Sequence, residues 1–299
     1  MNNNADMETT EAALLLDTRA LLGEGPSWDE ESNRLYWVDI EGRAVHIYDP
    51  LTGTDRQIEV EQMAGCVVPR QKGGVILTLQ RGFYSLNLET EELHPIVDPE
   101  AELPENRFND GKCDSHGRLW AGTTRISHDQ PSGSLYYLDT DLSCHRRISD
   151  VWISNGIAWS GDDRTMYFID SPTGRVDAFD FDAETGGIAN RRTVIEVPAG
   201  MGSPDGMTID EEGMLWIALW DGWRVARWDP RTGTQLGEIR LPVARPTSCV
   251  FGGPGLDQLY ITTARTRLPA EALANQPLAG GLFNCRPGVR GLPTQRFNG

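Results

Sequence analysis

Short runs in which apolar and polar residues alternate with period two recur along nearly the whole chain, separated by turns rich in Gly, Pro, Asp and Asn. Six segments share one grammar: an apolar strand, an acidic or Gly turn, a strand with a bulky apolar pair, and a strand ending in a D-x-x-T-G-like turn. They read GPSWDEESNRLYWVDIEGRAVHIYDPLTGT from Gly25, GCVVPRQKGGVILTLQRGFYSLNLETEE from Gly65, and NDGKCDSHGRLWAGTT, closing with GSLYYLDTD, from Asn109. The others are NGIAWSGDDRTMYFIDSPTGRVDAFDFDAETGG from Asn155, PDGMTIDEEGMLWIALWDGWRVARWDPRTGT from Pro204, and TSCVFGGPGLDQLYITTA from Thr247. Their spacing of roughly 40 to 50 residues is that of a four-stranded propeller blade, which predicts an all-β, six-bladed β-propeller.

Six repeats nearly exhaust the chain, so residues 1–299 are expected to form one domain. Residues 1–11 carry no such pattern and are expected to be disordered. The apolar stretch 12–22 is expected to supply the outermost strand of the last blade, pairing the two chain ends and closing the ring. Helical patterning is confined to a short stretch, Pro269 to Ala274, and this excludes a helical solenoid.

In a propeller the innermost strands surround an axial channel, so equivalent positions near their starts form a ring. Each inner strand is followed by a turn that starts at Asp29, Arg70, Asp114, Ser160, Asp210 or Gly253. Five residues upstream of these lie Glu24, Gly65, Asn109, Asn155, Asp205 and Ser248. Four of these six are Asp, Glu or Asn, residue types that strands disfavour. Such residues also cap turns well, but four in one phase point to an oxygen-lined cation site. Carboxylate and amide oxygens without His or Cys suit Ca²⁺, Mg²⁺ or Mn²⁺ better than Zn²⁺.

Composition narrows the function. Of 299 residues, 44 are acidic and 27 basic, and the net charge of −17 disfavours a nucleic-acid or anionic-membrane partner. No apolar run is long enough to span a bilayer, and the start lacks a basic, cleavable leader, so the expectation is a cytoplasmic protein. The five cysteines form no C-x-x-C pair and are expected to be reduced.

None of the five histidines falls in the ring phase and no G-x-S-x-G elbow occurs, which disfavours His- or Ser-based hydrolysis. His128 lies in the long RISHDQPSG insert, from which it could reach the channel mouth. Trp37, Trp120 and Trp216 share the bulky repeat position and are expected in the core. Trp220 and Trp223 are either packing residues or part of the channel rim.

At GEGPSW, RFNDGK, SNGIAWS, IDSPTGRVDAFDFD, PDGMTID and SCVFGG the chain resembles the regucalcin and gluconolactonase family, from about Leu21 to about Phe283. The resemblance implies a propeller with one divalent cation, held by Glu24, Asn155 and Asp205, with Asp205 also the catalytic base. It implies substrate contacts from Arg107 and Asn109. Where the animal members carry a substrate-contacting Glu, this chain has AGTTRISHDQ, which puts Ser127 at the substrate-binding position. The C-terminal TTARTRLPAEALANQPLAGGLF is similar to bacterial sugar lactonases, which favours a role in carbohydrate catabolism. The expectation is a metal-dependent hydrolase that opens sugar lactones (aldonolactones such as glucono-1,5-lactone) to aldonic acids. Its cation would be Ca²⁺ first, with Mn²⁺, Mg²⁺ or Zn²⁺ as substitutes. A phosphotriesterase or arylesterase of similar architecture and a non-enzymatic calcium-binding regulator are the alternatives.

Overall fold

A computed structural model describes residues 8–299. Six antiparallel sheets follow one another along the chain as the blades of a propeller. Their innermost strands are Gly23–Asp29, Ala64–Pro69, Asn106–Cys113, Ser154–Trp159, Ser203–Ile209 and Pro246–Gly252, each paired with the strand that follows it. The one α-helix among the described residues is Ala270–Asn275, which overlaps the expected helical stretch Pro269 to Ala274 and runs one residue beyond it, in the last blade.

Period-two alternation gives each blade two apolar faces, and both are buried against neighbours. Six apolar clusters result, each drawn mainly from two adjacent blades. Val38 of the first blade packs with Val67 and Leu77 of the second in one of them. Trp37, Trp120 and Trp216 are buried as expected, at 1%, 0% and 4% exposure. Burying each aliphatic side chain of this kind contributes about 1.5–3 kcal/mol.

The first described residues differ from expectation. Within the span expected to be disordered, Glu8–Glu11 forms a strand parallel to Thr234–Arg240, adding a fifth strand to blade five. Its sequence, ETTE, has no apolar alternation because it lies on an outer edge where backbone bonds, not side-chain burial, hold it. Residues 1–7 lie outside the described residues. The chain then crosses to blade six, where Ala13–Leu16 pairs antiparallel with Leu282–Cys285 as the outermost strand. Only four residues of the 12–22 stretch are used in this way; Ala20 bonds Gly280 at 2.9 Å and Leu22 bridges Ala264 on the way to blade one.

The other end of the chain covers one face of the ring, the face on which the inner strands end. Gly291 bridges Asp210 of blade five, and the Arg296 guanidinium grips the Asp29 carboxylate of blade one at 2.7 Å. Phe297, wholly buried, bridges Arg70 of blade two, and the Asn298 amide donates to the Gly117 carbonyl below blade three at 3.0 Å. A small cavity of about 180 Å³ remains beside Leu292–Gln295 on this face. The opposite face, where the inner strands begin, holds the ring residues.

Candidate metal centre and active site

Every inner strand breaks its pairing register at the ring position. The breaks fall between Glu24 and Ser27, Ala64 and Cys66, Phe108 and Gly111, Ser154 and Ile157, Pro204 and Met207, and Pro246 and Ser248. A β-bulge bends the strand and re-aims a side chain. Here six bulges around one axis bring Glu24, Asn109, Asn155 and Asp205 to one cavity of about 400 Å³, each 6% exposed or less. The bulges also let blades approach closely at the axis. A Cβ on Gly65 would lie 2.6 Å from the Asn109 carbonyl oxygen, and one on Gly156 would lie 2.8 Å from the Asp205 carbonyl oxygen. These glycines are therefore required by proximity and are not merely turn formers.

Hydrogen bonds orient the polar members. Arg107 Nη1 donates to Asn109 Oδ1 at 2.6 Å and to the Phe108 carbonyl at 2.9 Å. Asn109 Nδ2 donates to Asn155 Oδ1 at 2.8 Å and to the Ser154 carbonyl at 2.7 Å. Asn155 Nδ2 donates to Ser171 Oγ at 2.7 Å, and that hydroxyl donates to the Pro204 carbonyl at 2.6 Å. Among the described residues, Glu24 Oε2 accepts only the Gly25 amide, at 3.0 Å.

Three buried carboxyls crowd the axis. Burial, followed by the charges of Asp205 and Asp110, holds Glu24 well above the usual carboxylate range. Burial and then Asp110 do the same to Asp205, against the opposing effect of Arg107. Asp110 is raised by burial too, although the Lys112 ammonium opposes this. Arg107 is pushed down to about 10 by burial, and Glu41 and Glu24 pull it back up. Buried carboxylates are normally paired or bound to a cation. Neither Glu24 nor Asp205 has an ion-pair partner among the described residues, so the oxygen set fits a hard divalent cation. No three His, Cys, Asp or Glu side chains of the described residues group closely enough to hold a metal by themselves. The Asn155 amide oxygen would have to complete such a set.

Five of the six site residues expected from sequence line this cavity: Glu24, Arg107, Asn109, Asn155 and Asp205. Ser127 does not. It is exposed, with its hydroxyl given to Asp129 at 2.7 Å, and a positive φ of 53° at the next residue brings His128 to the cavity wall instead. Trp220 lines the cavity beneath the Arg245 guanidinium, 4.6 Å from its ring centre, whereas Trp223 is 43% exposed and stands outside. Repeat phase does not identify Ser171, Glu41, Thr266 or Arg267, because they lie on connections that differ from blade to blade. A larger groove of about 830 Å³ between blades one and two contains none of the ring residues.

The sequence profile of the SMP-30/Gluconolactonase/LRE-like region matches residues 22–265. A Bacillus subtilis (strain 168) protein, provisionally named the sugar lactone lactonase YvrE, is 41% identical over 97% of this chain and 99% of its own. Regucalcin of Danio rerio is 41% identical over 98% and 100%. Among solved structures, a calcium-binding protein, regucalcin, from Agrobacterium tumefaciens superposes with a TM-score of 0.92 at 28% identity, covering 97% of this chain and 99% of that one. A luciferin-regenerating enzyme superposes with a TM-score of 0.89 at 33% identity, covering 96% and 99%. Profile, sequence identity and fold agree over nearly the full length, and the chain belongs to the SMP-30/gluconolactonase/LRE-like family.

Proposed function

We propose that this lactonase-family enzyme hydrolyses sugar lactones of the aldonolactone type, with one divalent cation held by Glu24, Asn155 and Asp205. The observation that carries the reading is the convergence of two buried, ion-unpaired carboxylates with an oriented amide oxygen in a cavity large enough for a sugar ring. When bound, a divalent cation supplies positive charge that polarises a lactone carbonyl and stabilises the oxyanion.

Asp205 has the role of base. Its carboxylate oxygen takes a proton as water oxygen adds to the lactone carbonyl carbon, forming the tetrahedral intermediate. That intermediate collapses as the bond from carbon to ring oxygen breaks. The proton held on Asp205 passes to the departing ring oxygen, so one water is consumed and a hydroxy acid released. Arg107, locked to Asn109 at 2.6 Å through Nη1, presents its remaining N–H groups to the sugar oxygens, and Asn109, whose two amide hydrogens go to Asn155 and Ser154, offers its Oδ1 to a sugar hydroxyl. Ser171 fixes the rotation of Asn155 and so keeps its oxygen facing Asn109.

The test is pH-stat hydrolysis of glucono, galactono, xylono and arabinono lactones by protein stripped with EDTA and reloaded with Ca²⁺, Mn²⁺, Mg²⁺ or Zn²⁺. Turnover that needs a cation and falls with Asp205→Ala is expected, with Ca²⁺ the first choice. Faster turnover of an aryl ester or a phosphotriester would move the reading to that class of hydrolase. Cation binding without turnover of any ester would leave a calcium-binding protein.

A further inference from the structure

Three observations on one wall of the cavity remain outside the mechanism above. Arg267 stands at the cavity mouth, exposed to solvent, and, among the described residues, makes no ion pair or hydrogen bond that would tie it down. Its rim neighbour Arg245 is committed to Asp221 at 2.7 Å, to the Thr266 carbonyl and to the face of Trp220. Arg267 also holds φ at 59°, a left-handed conformation that costs a non-Gly residue free energy and tends to mark functional sites. Next, His128 Nε2 is buried in the wall with no partner. A buried polar atom left without a partner destabilises the fold, and a ligand atom that fills it recovers this loss. Finally, the Arg107 guanidinium donates only to neutral oxygens, those of Phe108 and Asn109.

Arg107 and Arg267 are also the two charges that act on His128. Together with burial they push its imidazole down to about 4, so it is neutral at neutral pH and can offer one N–H. The acidic residue on this rim, Glu41, accepts the Thr266 hydroxyl at 2.5 Å and acts on Arg107, and no carboxylate of the described residues pairs with the exposed Arg267. Glu24 and Asp205 sit at the inner-strand bulges around the axis.

Resting on the lactonase reading, we propose that this wall selects lactones with an anionic terminus. Arg267 and His128 would hold that group while the lactone carbonyl reaches Asp205. A terminal carboxylate and a terminal phosphate share the required chemistry, because both accept hydrogen bonds from guanidinium groups. The reaction is unchanged; only the substituent remote from the opening ester differs.

The test compares kcat/KM for glucaro-lactone, 6-phosphoglucono-lactone and glucono-lactone with cation-loaded enzyme. Preference for either anionic lactone over the neutral one is expected and identifies the anion. Arg267→Met should cut the anionic-to-neutral ratio by a factor of about 10 to 100, Arg267→Lys should restore part of it, and Arg267→Glu should cut it further. A wild-type preference for the neutral lactone, or a ratio that neither Arg267→Met nor Arg267→Glu moves, overturns the proposal.

A second arm avoids turnover: calorimetric binding of D-glucarate and D-gluconate to the protein in EDTA. Tighter binding of the dianion that is lost in Arg267→Met supports anion selection even if no lactone is opened, in which case only the lactonase reading fails. Equal binding of the two by wild type and variant counts against anion selection whatever the lactones do.

Discussion

Asn109 donates to the side-chain oxygen of Asn155 at 2.8 Å across the boundary between blades three and four, so a residue offered to substrate and one offered to a cation share one hydrogen bond. Asn109→Ala removes that donor, a second bond to Ser154 and the acceptor for Arg107. A loss of about 1–3 kcal/mol of stability is expected by urea unfolding, together with weaker cation binding by calorimetry. Unchanged cation affinity would show that the two halves of the site are independent.

Asp205→Ala and Arg107→Ala should separate chemistry from binding. The first removes the base together with one of the three proposed cation ligands, and should lower kcat by at least about 10² even at saturating cation. The second should mainly raise KM, because Arg107 orients substrate and moves no proton. Near wild-type kcat in Asp205→Ala under cation-replete conditions would refute the assigned base.

Stability should depend on pH in opposite ways with and without cation. In EDTA, the folded state keeps protons on Glu24 and Asp205 above their ordinary values of 4.5 and 3.8, so between those values and the raised ones it binds more protons than the unfolded chain. Stability is then full below the ordinary values and falls as pH rises through the raised ones. A bound divalent cation takes the place of those protons. The rise in melting temperature on adding Ca²⁺ should therefore grow as pH climbs above the ordinary carboxylate values of 4.5 and 3.8, and a constant rise would contradict the assignment.

Gly156→Ala tests the close approach of the blades. Its methyl group would meet the Asp205 carbonyl oxygen at 2.8 Å and Met207 Cγ at 2.7 Å, and the strand carrying Asp205 must shift. A cost of about 1–3 kcal/mol and a clear loss of turnover are expected, whereas Gly255→Ala, whose new Cβ would meet only the Asp257 side chain at 3.9 Å, should leave the site geometry intact.

Truncation before Thr18 removes both N-terminal strands and uncovers the outer edge of blade six. A lower, less cooperative melt and aggregation at micromolar concentration are the expected outcomes, measured by calorimetry and light scattering. Truncation before Ala12 removes only the Glu8–Glu11 strand and should have a smaller effect.

The repeat made the blades legible because every blade solves the same packing problem with the same alternation. It also located Glu24, Asn109, Asn155 and Asp205, because a bulge at a fixed phase of each inner strand turns these side chains toward the axis. The bulges themselves leave no mark in hydrophobic pattern, since they are breaks in pairing. Glu41, Ser171 and Arg267 lie on the connections between second and third strands, outside the alternating strand pattern and of unequal length around the ring, so the repeat of inner strands does not reach them. Ser127 and His128 show the limit most sharply, since one left-handed residue in a long insert decides which neighbour faces the cavity. The strand Glu8–Glu11 was invisible for a different reason: an edge strand held by backbone bonds has no need of apolar side chains.

The two N-terminal strands have their partners at Thr234–Arg240 and Leu282–Cys285. During synthesis, these two strands leave the ribosome before blade one and are thus among the last to find their place. Blades one to four can form in order as they emerge, but ring closure must wait until Leu282–Cys285 has been made. A circular permutant that links Gly299 to Glu8 and opens an exposed loop between two early blades would move this waiting step elsewhere in the ring, and with it the interval during which an unpaired blade edge is open to other chains.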